Sequence, residues 1–294
     1  MQKKLIFWYL VLIVNHIFWG TQVPALKAVS GHVSLPLLTF LRFFMAMLAL
    51  LPFYLLAKDR KPIERKDMKL IAFLGFFGVA VYAMVNVIGI KLSTAVNQAI
   101  ILHSWPLMTA ILAPLLIKER VGKGTYLALL LGFTGLIIVV TEGNLSMVFQ
   151  SQYFLGNLLI FLSALILAIH TIYSKNFNHK YGSLNINFIY FLLGSFFLFL
   201  FTFFSGDLGR IISIDSKDWL LIFWVGVPTI ALTWVISFRA MREIGIIKAN
   251  SFFLLNAPSG VFFSVFFLHE AITPLKLFGA GLIFLGLYIV QTRK

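Results

Sequence analysis

The chain has 294 residues, of which 60% are hydrophobic and only 12% charged, with a mean hydropathy of +0.96 and a formal net charge of +14. Ordinary soluble domains are roughly 45–50% apolar, so this composition excludes a soluble globular fold; the basic residues lie between hydrophobic runs, which fits membrane topology and not a nucleic-acid surface. The absence of cysteine removes disulfides, thiolate metal sites and a cysteine nucleophile.

A helix that crosses a bilayer needs about 20 mostly apolar residues. The sequence predicts ten such spans, at 5–26, 37–57, 70–90, 95–117 and 124–141, then 154–174, 186–204, 219–238, 246–268 and 273–291. The opening MQKK and its apolar run resemble a secretory leader. That run continues to Leu26 with no small-residue cleavage site, so it reads as a retained first span.

Polar residues at bilayer depth are the candidates for a site. In span one, Asn15, Trp19 and Gln22 recur at spacings of four and three beside His16, a polar stripe unsuited to lipid. Span two carries Arg42 about five residues inside its start, where a charge costs a few kcal/mol unless it is paired or reaches the surface. Arg42 therefore either snorkels or clamps carbonyls, or it attracts an anionic group such as a substrate carboxylate.

Span four contains His103, Ser104 and Trp105, and His103 shares a helical face with Ala99, Pro106 and Ala110. Small-residue faces pack against other helices, so His103 is expected to face protein, either as an interhelical hydrogen-bond partner or as part of a solute path. In span nine, Asn256 shares a face with Ala249 and Gly260, and Pro258 mirrors Pro106. Each proline frees a carbonyl one turn earlier, which bends the helix or offers an acceptor.

Glu119 and Glu270 end spans four and nine. Each serves either to lock the following turn or to carry a proton; Thr273 and Pro274 read as the N-cap and first-turn proline of span ten. All five aspartates, at positions 59, 67, 207, 215 and 218, fall in loops, and no glutamate lies mid-span. A sodium site would need carbonyls and amides alone, and proton coupling would need His16, His103, His170 or the two boundary glutamates.

Lysine and arginine concentrate at the N-terminus, near 58–69, 118–123, 175–180 and 239–248, and at the C-terminus. The positive-inside rule then puts both termini in the cytoplasm, which an even number of spans requires independently. The chain also reads as a duplication, 1–145 and 146–294. Glu119 is followed sixteen residues later by Gly135, and Glu270 sixteen later by Gly286, while Lys27 pairs with Lys175 and Phe40 with Phe188 at a constant offset. Five spans per half force the second half to enter from the opposite side, and inverted repeats are a transporter signature.

The segments WGTQVPALKAV, LPLLTFLRFFMA and STAVNQAIILHSWPLMTAILAPLLIKERV, with the repetition of proline then glutamate around spans four and nine, resemble the EamA-like branch of the drug/metabolite transporter superfamily. The likeness covers nearly the whole chain. It departs in spans six to eight, which have Leu167, Ala168 and Tyr190 where the first half has the tryptophan-glycine and the arginine. The resemblance implies an all-α integral membrane fold of ten helices in two inverted five-helix repeats. It also implies a secondary transporter of small metabolites, amino acids or similar neutral or zwitterionic solutes, exported across the inner membrane by alternating access. The expected substrate-binding set is Asn15, His16, Trp19, Gln22, Arg42, His103, Trp105 and Asn256, with Glu119 and Glu270 in coupling or turn-locking.

No Walker A sequence, HExxH or GxSxG occurs. The expectation is therefore no cofactor and no bound metal, with a small solute and the lipid bilayer as partners, no nucleic acid, and an oligomeric state that the sequence leaves open. Four other readings remain: import, flipping of a lipid-linked solute, a membrane enzyme using His103 or His170 with Glu119, and a scaffold whose polar residues only join helices.

Overall fold

A computed structural model describes residues 2–58, 61–147, 150–268 and 273–292, and every regular element among them is helical. Hydrocarbon offers no partner to a backbone amide or carbonyl, so long apolar runs satisfy those groups internally as helices. Among the described residues, eight helices are long and apolar enough to span a bilayer: Leu35–Leu56, Arg65–Lys91, Asn97–Ile117, Lys123–Thr141, Ser151–Tyr181, Ser183–Phe204, Ser216–Ile244 and Pro274–Thr292. They correspond to predicted spans two to eight and ten. Span one is the shorter apolar helix Lys4–Gly20, and a turn at Thr21 separates it from Gln22–Val29. Span nine is interrupted, running as Ile246–Ser251, a tight turn over Phe252–Leu255, then Asn256–Leu268.

Two kinds of irregularity recur in corresponding places. Span three contains a π-helical turn at Phe76–Val81 and span eight one at Val227–Leu232, 151 positions later. In span eight Pro228 supplies no backbone donor, which accounts for the loosened turn. In span three the His170 ring lies against Gly78, where a Cβ would overlap it. Span four breaks at His103 and Ser104, just before Pro106, as span nine tightens just before Pro258. The two prolines thus sit at real breaks in their helices.

Close helix contacts follow the same register. A Cβ on Gly75 of span three would meet Leu193 of span seven, and one on Gly226 of span eight would meet the Arg42 carbonyl and Met45 of span two. Spans five and ten make the most extensive helix pair. There a Cβ on Gly135 would lie 2.5 Å from the Gly279 carbonyl oxygen, and one on Gly286 2.6 Å from that of Ala128. Ala128 and Gly132 therefore serve contact within one chain.

Ion pairs at the basic end join the first half of the chain to the second: Lys4 with Glu243 at 2.7 Å, Lys175 with Glu119 at 2.6 Å, and Lys180 with Asp67 at 2.7 Å. At the opposite end the Trp224 indole donates to the Thr21 hydroxyl at 2.9 Å, and Lys276 pairs with Glu142 at 3.1 Å. Both ends are thus tied across the bundle by side-chain contacts.

Candidate functional site

Between the two ends lies a cavity of about 20 Å³, room for about one water. Its walls are aromatic: Trp19 from span one, Tyr82 from span three, Trp105 from span four, Trp234 and Phe238 from span eight, and Phe253 from span nine. Thr171 and Ser237 contribute hydroxyl-bearing side chains, and Leu167 and Met241 complete the lining. A larger groove of about 430 Å³, bounded by Tyr54, Lys58, Lys61 and Asn185, is lined by none of these residues. It belongs to the basic end and not to the convergence of spans.

Trp19 and Trp105 of the expected set line the cavity itself. Behind the wall, the buried Asn15 donates from Nδ2 to the Ser237 hydroxyl at 3.0 Å and to the Thr233 carbonyl at 3.3 Å. His16 is fully buried, and its Nδ1–H donates to Asn256 Oδ1 at 2.9 Å, bridging spans one and nine. Its ring stacks on Trp19, with centroids 5.8 Å apart, and meets Phe253 edge-on at 4.4 Å. His16 and Asn256 thus form a brace one layer behind two wall residues.

His103 bonds within its own span. Its Nδ1 lies 2.7 Å from the Ala99 carbonyl, which only accepts, so the proton is on Nδ1. Gln22 lies beyond the turn at Thr21, half-buried at the start of the next short helix, so the stripe counted through Gln22 ends at Trp19. Glu119 pairs with Lys175 of span six. Glu270 lies outside the described residues. Thr273 does cap span ten, its hydroxyl accepting from the Lys276 amide at 3.3 Å. His103, His170 and Glu119 are each engaged in a different place: the Ala99 carbonyl, the Gly78 turn with the Tyr190 and Trp234 rings, and Lys175.

Arg42 sits with its guanidinium 5.2 Å from the Phe43 ring centroid, and Tyr82 of the cavity wall is its electrostatic neighbour. Its Nε is buried without a hydrogen-bond partner, and among the described residues no carboxylate pairs with it. A cation in this position raises the local potential and attracts an anion.

Tyr82, Thr171, Trp234, Ser237, Phe238 and Phe253 were not reached from sequence. Spans three and eight reach the cavity beyond their π-turns, whose extra residue rotates the following face away from a 3.6-residue count. One signal was available. Asn15 bonds to Ser237, and Asn86 donates to Ser163 at 3.1 Å. The same bond is thus made with asparagine and serine exchanged, 148 positions apart in spans one and six and 151 apart in spans three and eight.

Six apolar spans thus converge on one aromatic-walled cavity inside a polytopic helical bundle. The EamA-like transporter family model matches twice, over residues 6–141 and 154–292. The chain belongs to that family, within the drug/metabolite transporter superfamily. It is 25% identical over 282 residues to YyaM of Bacillus subtilis, named an uncharacterized transporter, covering 95% of this chain and 91% of that protein. An uncharacterized transporter of Archaeoglobus fulgidus is 25% identical over 292 residues, covering 97% and 99%. A solved crystal structure, 18% identical, superposes with a TM-score of 0.76 over 96% of both chains, which shows a shared fold.

Proposed function

We propose that the protein is a secondary transporter of small zwitterionic metabolites, amino acids or close analogues, which it carries outward across the inner membrane by alternating access. The observation that carries this reading is Arg42, whose Nε is buried without a partner, which no carboxylate pairs among the described residues, and whose electrostatic neighbour is Tyr82 of the aromatic cavity wall. A solute carboxylate neutralises it, aromatic faces take an apolar body, and the Thr171 and Ser237 hydroxyls take its polar atoms. Among the described residues, none that lines the wall is an acid, which favours solutes without a net positive charge.

The two halves, 1–145 and 146–294, act as inverted repeats. The recurring π-turns, helix breaks and glycine contacts support that reading, as does the double family match. The basic end is cytoplasmic by the distribution of lysine and arginine. Outward movement and the amino-acid class draw on the family resemblance.

The test compares efflux of pooled L-amino acids with efflux of their carboxamides from proteoliposomes, for the wild type and Arg42→Gln. Wild type moving acids in preference to amides, with that preference lost in Arg42→Gln, supports the reading. Equal movement of acids and amides by the wild type overturns the carboxylate role of Arg42.

A further inference from the structure

We propose that Trp234 is the specificity-determining residue of the cavity, setting the upper size of the solute body; this rests on the cavity being the solute site. The argument starts from register. Gly75 and Gly226 make equivalent contacts, the π-turns Phe76–Val81 and Val227–Leu232 coincide, and Asn86 and Ser237 make equivalent hydrogen bonds, each 151 positions apart. The same register sets Trp234 of span eight opposite Ala83 of span three. One half therefore places the largest side chain where the other places a fully buried alanine.

That difference falls on the cavity. Trp234 lines it, and Trp19 lines it from the facing span, with ring centroids 6.5 Å apart. Trp234 also meets Phe43 edge-on at 6.4 Å and Phe191 at 5.4 Å. Phe43 is the ring beneath the Arg42 guanidinium. The indole thus touches both the cavity and the ring that carries the cation. A solute whose carboxylate reaches Arg42 must fit its body into the space Trp234 leaves. Trp234 is also only 6% exposed and held by rings on several sides, so it yields little room by rotating.

The probe is an equimolar series of L-amino acids, glycine to tryptophan, loaded into proteoliposomes and followed by mass spectrometry. The reading is the ratio of large-solute to small-solute rates, which a merely structural role leaves unchanged because it lowers all rates together. Trp234→Ala is expected to raise that ratio by roughly 10- to 200-fold, the discrimination that one pocket dimension provides. Trp234→Phe, a smaller excision that keeps a ring in place, raises it less and serves where the alanine variant does not fold. A folded variant with the wild-type ratio, or with all rates lowered in proportion, overturns the role of Trp234 alone. A wild type that moves none of the series overturns the reading of the cavity as an amino-acid site, and this inference with it.

Discussion

Asn256→Ala removes the acceptor for a fully buried imidazole donor, and its cost can be bounded. The His16 Nδ1–H bond to Asn256 is 2.9 Å long, and His16 Nε2 is already buried without a partner. A buried donor left unsatisfied costs about 1–3 kcal/mol. Hydrogen bonds between membrane helices average about 0.6 kcal/mol and reach about 1.7, because the separated helices also find partners. The expectation is therefore about 1–2 kcal/mol, a roughly 5- to 30-fold shift in the folding equilibrium. Unfolding by denaturant in mixed micelles measures it. Replacing both partners, as His16→Leu with Asn256→Leu, removes donor and acceptor together and is expected to recover most of the loss. Transport stays impaired in the pair, since the His16 ring supports Trp19 and Phe253. A double variant less stable than the sum of the two single changes would refute the brace.

Gly286→Ala places a methyl 2.6 Å from the Ala128 carbonyl oxygen and 2.8 Å from the Gly132 amide nitrogen, backbone atoms that cannot step aside. It is expected to cost about 1–3 kcal/mol by overpacking, read by the same denaturation. Lys175→Glu opposes Glu119 across spans four and six and is expected to lower stability, while the exchange of both charges restores it; a double variant no better than the single one refutes the pairing. Thr273 and Lys276 hold the Glu142 carboxyl below the usual carboxylate range. A depressed carboxyl stabilises the fold above its unfolded value, about 4.3, and the contribution is lost as pH falls through the lower folded value. The difference in thermal midpoint between wild type and Glu142→Gln is thus expected to be small, present at pH 7, and to close in acid.

The spans were legible because hydrocarbon demands helices whatever the side chains. Pro106 and Pro258 marked the breaks in spans four and nine because proline acts on its own backbone. Trp19 and Trp105, which line the cavity, could be found in sequence because polar or amphipathic groups in apolar runs stand out. Trp234 and Tyr82 could not, since an aromatic residue in span three or eight looks like any other apolar residue until the π-turns set its face. His103 is expected from sequence to face protein, as an interhelical hydrogen-bond partner or as part of a solute path, and the bond of its Nδ1 to the Ala99 carbonyl of its own span has no signal in the spacing. Glu119 had no visible partner in sequence, because Lys175 lies in span six and meets it only through packing.

The most direct test of the central claim, that solute occupies this cavity and reaches it alternately from both sides, uses the natural absence of cysteine. Ser237→Cys puts one thiol in the cavity lining. Its modification by a membrane-impermeant maleimide, added to either face of oriented proteoliposomes, is measured with and without pooled L-amino acids. The account predicts labelling from both faces, slowed by the solutes. Labelling from one face only, or labelling that the solutes leave unchanged, would contradict it.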